Sequence, residues 1–255
     1  MSHSKRALTA LIVVVFGVAS VVWAAPIPYG NISGDSVVYQ QLSEDSSTDP
    51  GIALYGAPTV SGDGLFFNPA FAATASGGAT NQTFGSLTAT IVATNGTAIE
   101  LLQFQEQGDF SLMGAGTSAT TAEVSATFLI SIIEVDGVAV TPVNVIEQMA
   151  FTAGAAPSDG QFNIADEPGG TQPWAGLVQI DLNQVLFDAG VAGQATKVAI
   201  ELDNRLAVAS EATTYSHIAK KTLGGFSVTA VTNIPEPATM SLLALGGLAM
   251  LKRRK

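Results

Sequence analysis

Short runs of this sequence alternate apolar side chains with polar or hydroxyl side chains, one residue after the other. The runs cover residues 36–42, 86–94, 98–106, 122–137, 144–153, 175–182, 196–204 and 224–231. A period of two residues places every second side chain on the same face of an extended strand. β-Branched residues are frequent in these runs, and turns that contain glycine separate them. The pattern predicts an all-β fold, an antiparallel two-layer sandwich of the jelly-roll kind.

One pair of runs carries a strong local turn signal. Asn95-Gly96 stands between residues 86–94 and residues 98–106. This dipeptide favours the tight turn of a β-hairpin, so we expect the two strands to pair with each other. Asp136-Gly137 ends the run 122–137 in a similar way.

The segments between the runs are predicted to be connections. Residues 73–83 and 114–122 are rich in small residues, which is typical of surface loops. Only residues 182–190 predict a short helix, because their leucine and valine side chains recur on one helical face and Gly190 can cap the last turn.

Charge is distributed unevenly along the chain. The 255 residues include 21 acidic and 10 basic side chains, and 20 of the acidic residues lie between residues 26 and 234. The basic residues of that part are Lys197, Arg205, Lys220 and Lys221. Because phosphate groups are bound mainly by lysine and arginine, this acidic body excludes nucleic acid as a partner.

The N-terminal residues have the order of charges and apolar residues that is typical of an export signal. Lys5 and Arg6 precede an apolar stretch at 7–22, and the small-residue pattern ending at Ala24 resembles a signal-peptidase site. We expect signal peptidase to cleave between Ala24 and Ala25. An uncleaved signal anchor is the alternative, because the stretch approaches the ~20 residues of a membrane span.

The sequence offers little that is typical of an enzyme. It contains no cysteine, which excludes disulfides and thiolate metal sites. His217 is the single histidine after the export signal, and no serine has the Gly-x-Ser-x-Gly context of a nucleophile. No spacing pairs two carboxylates for glycoside hydrolysis. We therefore expect a protein that is not an enzyme.

Calcium is the one cofactor for which the sequence supplies ligands. Ca²⁺ binds oxygen ligands from carboxylates and amides. Such residues near predicted loops or strand ends are Glu44, Asp45, Asp49, Asp63, Asp166, Glu167, Asp181, Asp203 and Asn204. No Asp-x-Asp-x-Asp-Gly loop is present, so the plainer interpretation is a solvated acidic surface and no bound metal.

The C-terminal segment has a different composition from the body. Pro235 and Pro237 fix their own φ angles and keep Glu236 between them extended. Residues 238–251 then provide 14 mainly apolar residues, about 21 Å of helix. The chain continues with the basic residues Lys252, Arg253, Arg254 and Lys255, which favour the cytoplasmic side of a membrane. The segment predicts a short transmembrane helix with a cytoplasmic topology anchor.

The order Pro235-Glu236-Pro237, apolar helix and terminal basic cluster resembles the PEP-CTERM sorting signal of Gram-negative bacteria that produce exopolysaccharide. The resemblance implies recognition of Pro235, Glu236 and Pro237 by a membrane exosortase, which removes the tail near the motif. It also implies that the helix is a transient inner-membrane anchor, that the body lies outside, and that exopolysaccharide is a candidate partner.

These observations divide the chain into three parts: a signal peptide at 1–24, an exported β-sandwich domain at 25–231, and a sorting signal at 232–255. Two functions remain open for the domain. The first is a non-enzymatic protein of the cell surface or extracellular matrix. The second is a carbohydrate-binding, lectin-like module of the kind that Ca²⁺ can stabilise, which would need exposed aromatic side chains. The candidates for that set are Phe66, Phe67, Phe71 and Trp174, and burial in the core is the alternative for each.

Overall fold

The computed structural model describes residues 24–233, except residues 155, 168 and 222–226. Within that part the chain forms sixteen strands and one helix. The strands are β1 (Ile27–Ser33), β2 (Val37–Asp45), β3 (Thr59–Ser61), β4 (Gly64–Phe66), β5 (Ala72–Ser76), β6 (Thr80–Ala93), β7 (Ala98–Gly114), β8 (Thr121–Val135), β9 (Val138–Gln148), β10 (Ala150–Ala153), β11 (Ala156–Ser158), β12 (Gln161–Asn163), β13 (Thr171–Asp181), β14 (Ala195–Ala209), β15 (Thr214–Lys220) and β16 (Ser227–Asn233). Helix α1 (Leu182–Asp188) lies between β13 and β14.

The strands form two antiparallel sheets. The first sheet has the order β1-β2-β6-β14-β8-β12, and β9 also pairs with β8. The second sheet has the order β11-β10-β13-β7-β16-β4-β3, and β15 pairs with both β7 and β5. The predicted all-β, two-layer antiparallel sandwich is confirmed.

Strand β7 is the centre of the second sheet. It pairs with β13 along one side. On the other side it pairs with β16 from Ala98 to Gln105 and with β15 from Gly108 to Gly114. Glu106 and Gln107 therefore lie where one neighbouring strand ends and the next begins.

The core lies between the sheets and consists of the alternating inward side chains. Aromatic rings join the layers at several points. Phe104 of β7 lies with its ring centroid 4.3 Å from that of Phe128 in β8, and Phe110 stacks on Phe162 of β12 at 4.0 Å. These contacts fix the distance between the layers at the positions where the polar residues described below are buried.

The predicted hairpin of residues 86–94 and 98–106 is wrong, although both strands exist. Asn95 and Gly96 have positive φ values of 55° and 72°, and the Thr97 N–H donates to the Thr94 carbonyl at 2.9 Å, so the tight turn forms. However, the turn carries the chain from β6 in the first sheet to β7 in the second. The two strands therefore lie in opposite sheets and do not pair, because other strands occupy the hydrogen-bonding edges of both.

Other local predictions have mixed outcomes. The run 122–137 is one strand, β8, and the Asp136-Gly137 turn links it to β9. The segment 144–153, predicted as one strand, changes sheets at Met149, between β9 and β10. Most of the predicted loop 73–83 is strand, since β5 and β6 leave only a short turn between them.

The helix prediction is confirmed. Asp181 caps its first turn, since its Oδ1 accepts from the Gln184 N–H at 3.0 Å. Leu182 and Leu186 are buried, and Gly190 follows the last turn with a φ of 69°. No helix in the described part of the chain has the length and apolar character that crossing a membrane requires. The predicted transmembrane helix at 238–251 lies outside the described residues.

Candidate functional site

Three strands each place one hydrogen-bonding side chain at a position that faces the core. Glu106 follows Leu102 and Phe104 in the inward register of β7. Asn204 also occupies an inward-facing position, in β14 of the opposite sheet. Lys220 does the same at the end of β15. All three residues are buried. We call Glu106, Asn204 and Lys220 the buried triad.

Glu106 connects the other two members of the triad. Its Oε1 accepts a hydrogen bond from Lys220 Nζ at 2.7 Å and another from Asn204 Nδ2 at 2.5 Å. The side chains of Glu106 and Lys220 are both 0% exposed. Since Asn204 belongs to the first sheet and the other two residues to the second, the triad joins the layers through one carboxylate oxygen.

Aromatic side chains surround the triad. Lys220 Nζ lies 4.9 Å from the centroid of the Phe71 ring, which is a cation–π distance when the amine is charged. Tyr55 meets Phe71 edge to face at 5.0 Å, and its hydroxyl donates to the Gly85 carbonyl at 3.1 Å. This shell excludes water and lowers the local dielectric constant around the amine and the carboxylate.

Two glycines provide the space for this packing. Gly85 is the strand partner of Asn204, and a Cβ at Gly85 would lie 2.5 Å from Phe71 Cζ. Gly108 is the strand partner of Lys220, and a Cβ there would lie 2.0 Å from the Ala219 carbonyl oxygen. No side chain larger than hydrogen fits at either position without displacement of the residues around the triad.

Burial changes the protonation chemistry of the site. Desolvation lowers the pKa of the Lys220 amine, and the negative charge of Glu106 and its hydrogen bond oppose that shift. Desolvation also raises the pKa of Tyr55 well above its ordinary value, with the charge of Glu106 as the next cause. Among the described residues, Glu106 Oε2 and Asn204 Oδ1 have no hydrogen-bond partner. Buried polar atoms without partners are rare in folded proteins, so these two atoms require an explanation.

Sequence reasoning missed the triad. It treated Asn204 as a candidate calcium ligand and Lys220 as part of the charge count, and it did not single out Glu106. The alternation of each strand could have revealed them. Each of the three polar residues occupies an inward-facing position, two residues after a buried apolar residue of the same strand.

The structure does not bring the candidate calcium ligands together. No group of three or more histidine or acidic residues within the described ranges could hold a metal ion. Several of the candidates have protein partners instead. Asp63 bonds Ser36, Asp166 accepts from Asn163 Nδ2 at 2.6 Å, and Asp181 caps α1.

The aromatic candidates for sugar binding are mostly buried. Phe67, Phe71 and Trp174 are 5%, 1% and 1% exposed, whereas Phe66 is 44% exposed. His217 lies on β15, half-buried, with Nδ1 2.9 Å from Thr74 Oγ1 and no acidic or serine partner in its hydrogen bonds. Phe67, Phe71 and Trp174 therefore belong to the core, and the four residues do not form a shared exposed face.

The predicted processing sites lie at the two ends of the described region. Ala24 is half-buried and Ala25 exposed, directly before β1. At the other end β16, paired with β7 and β4, ends at Asn233. The signal segment before Ala24, the motif residues Pro235, Glu236 and Pro237, and the basic cluster at 252–255 lie outside the described residues.

Comparison with known proteins identifies the C-terminal segment. Residues 233–255 match the family model for the PEP-CTERM protein-sorting motif. The chain thus carries a PEP-CTERM sorting motif after its β-sandwich, as the resemblance implied, and this motif indicates an exported protein that is targeted to exosortase.

The remaining comparisons are less informative. No curated protein matches the chain. Among solved structures, the crystal structure of the infectious bursal disease virus VP2 subviral particle aligns at 14% identity with a TM-score of 0.11. That alignment covers 87% of this chain and 56% of the viral chain, so the present chain spans little more than half the viral chain's length.

Proposed function

We propose that this protein is a non-enzymatic component of the cell surface or extracellular matrix, exported and then processed through its PEP-CTERM motif. The match at residues 233–255 carries the proposal. In this scheme signal peptidase removes residues 1–24 at the inner membrane, and exosortase acts at Pro235, Glu236 and Pro237. The helix at 238–251 serves as a temporary anchor, held by the basic cluster Lys252, Arg253, Arg254 and Lys255.

The position of the motif supports processing after folding. β16 is hydrogen-bonded into the second sheet up to Asn233, and the motif begins two residues later. The sequence predicts an extended backbone at Pro235 and Pro237, and neither residue has a backbone N–H to donate to a sheet ladder. In this proposal the membrane enzyme recognises a segment next to a completed domain.

A matrix role suits the composition of the domain. Its strands carry hydroxyl and amide side chains on their outward faces, and the body is acidic. Exopolysaccharide is the partner that such a hydroxyl-rich surface favours. The lectin-like alternative has weaker support, because Phe67, Phe71 and Trp174 lie in the core.

Replacement of Pro235, Glu236 and Pro237 by alanine tests the proposal. We expect the variant to be exported but to remain membrane-bound with its C-terminal tail intact. The matched control is Pro142→Ala, which removes an exposed proline of β9 outside the motif. Cell fractionation and mass measurement of the C-terminal peptide provide the readout. Equal tail masses and equal distributions for the triple variant and the wild type would contradict the proposed processing.

A further inference from the structure

We propose that the buried triad forms a covalent bond. Lys220 Nζ and Asn204 Cγ become joined as an amide, an isopeptide cross-link between the two sheets, and Glu106 transfers the protons. The reaction is a single event within one molecule and needs no cofactor. The proposal rests on the geometry of the domain and is independent of how the tail is processed.

The first requirement of such a reaction is proximity. The attacking nitrogen, Lys220 Nζ, and the departing nitrogen, Asn204 Nδ2, both contact the same oxygen atom, Glu106 Oε1, at 2.7 and 2.5 Å. β7, β14 and β15 hold the three side chains from within regular ladders. Groups fixed in this way react as if at very high concentration, because little orientational freedom is left to lose.

The second requirement is a neutral amine. A lysine is a nucleophile only when its amine is deprotonated, and desolvation in an apolar pocket favours that form. Lys220 is fully buried against Phe71, and its charged partner is also buried. A proton shift from Nζ to Glu106 gives a neutral amine and a carboxylic acid, and so removes the cost of keeping two charges away from water.

The bonds and protons balance without another reactant. The lone pair of Nζ attacks Cγ of Asn204 and forms the new C–N bond. Glu106, already protonated by the first transfer, delivers that proton to Nδ2, whose bond to Cγ then breaks, and it accepts another proton from the attacking nitrogen. One ammonia molecule leaves, and Glu106 ends as a neutral carboxylic acid. Glu106 is therefore the catalytic residue, since it touches both reacting nitrogens.

The environment of the carbonyl fits this chemistry. Asn204 Oδ1 has no hydrogen-bond partner in the described part of the chain, so the ground-state amide is incompletely satisfied. The Tyr55 ring and hydroxyl pack beside the amide, and Tyr55 stays protonated because burial raises its pKa. The hydroxyl proton is donated to the Gly85 carbonyl at 3.1 Å, so Tyr55 shapes the pocket beside the amide and makes no hydrogen bond to Oδ1 in this state.

Peptide mapping of the full-length protein tests the proposal. The chain is purified from the cell envelope, denatured and digested with trypsin, which cleaves after lysine and arginine. Arg205 separates the peptide 198–205, which contains Asn204, from the peptide that contains Lys220. We expect a branched species that holds both peptides, lighter than their summed mass by one ammonia, with no cleavage after Lys220.

Two variants assign the bond. Glu106→Gln keeps the shape of the side chain but cannot accept the proton, so we expect both peptides to be recovered separately. Lys221→Arg is the matched control, because Lys221 is the exposed neighbour of Lys220 and contacts Asp109 at 2.9 Å. It should retain the branched species in full.

The wild-type map decides the proposal even if Glu106→Gln fails to fold. Recovery of unmodified peptides 198–205 and 206–220 as the only forms from folded wild-type protein would overturn it. The assignment to Lys220 would be overturned if Lys221→Arg lost the branched species and the wild-type link mapped to Lys221. Fragmentation of the branched peptide that locates the bond between Lys220 and Asn204 would support the assignment.

Discussion

Glu44 is a second carboxylate that the fold buries, and it works through fixed partners. It is 2% exposed, and its Oε2 accepts the backbone N–H of Tyr55 at 2.6 Å. Its Oε1 accepts the hydroxyl of Tyr29 in β1. One side chain thus holds the edge strand β1 and positions Tyr55, whose ring packs beside the buried triad.

Replacement of Glu44 by alanine should lower the free energy of unfolding by about 1–3 kcal/mol, because it leaves the buried Tyr55 N–H without its acceptor. Urea denaturation of the purified protein measures this change. Glu147→Ala, at an exposed position of β9, is the control and should stay within about 0.5 kcal/mol of the wild type. A loss at Glu44 no larger than that of the control would contradict the assigned role.

At the residue scale, the sequence predicts well which positions face inward. It predicts poorly which partners the polar residues at those positions bind. Adjacent strand residues point to opposite faces, so Phe66 and Phe67 cannot both face solvent, and the structure buries Phe67. The sequence places Asn204 among possible metal ligands because it lies near a predicted strand end. Its partner Glu106 is distant in sequence, and only the sheet packing brings the two together.

At the scale of elements, the strands are well predicted and their pairings are not. Alternation depends on one strand alone, so it reveals β6, β7, β8 and β14 directly. Pairing depends on competition between all strands, and a local turn does not decide it. The Asn95-Gly96 turn forms as the dipeptide favours, but β6 is already flanked by β2 and β14 and β7 by β13, β15 and β16.

Phe71 packs against β6 at Gly85, and substitution of Gly85 tests how closely the strand and the ring need to approach. Gly85→Ala would place a methyl group 2.5 Å from Phe71 Cζ, so we expect an unfolding free energy lower by about 1–3 kcal/mol. Thermal denaturation gives the readout. Leucine at position 71 is smaller than phenylalanine and relieves the overlap. The double variant Gly85→Ala, Phe71→Leu should therefore lose less unfolding free energy than the sum of the two single variants. Additive losses would show that the glycine is not needed for this contact.

At the scale of the whole molecule, charge and hydropathy separate a folded acidic body from two apolar ends that carry basic residues. That division could be read from the sequence because membrane and export signals are local and compositional. The function of the body could not, since its one chemically unusual site combines residues from three strands in two sheets.

Export with removal of the N-terminal segment is a prediction at this scale. The protein recovered from the envelope should begin at Ala25, since the small residue Ala24 completes the cleavage pattern. N-terminal sequencing measures this directly. Ala24→Leu should reduce cleavage, whereas Ala70→Leu, an exposed alanine of the body, should leave it unchanged. A mature protein that begins at Met1 or Ser2 would contradict cleavage.

The placement of β16 determines how the domain responds to tension. β16 lies between β7 and β4 in the second sheet, and the sorting motif begins where this strand ends. A force directed along β16 loads this strand in shear against its ladders with β7 and β4. In that direction the inter-strand hydrogen bonds, which are perpendicular to the strands, have to break together and not one after another. The strand that leads to the sorting motif is thus also the element through which such a force enters the domain.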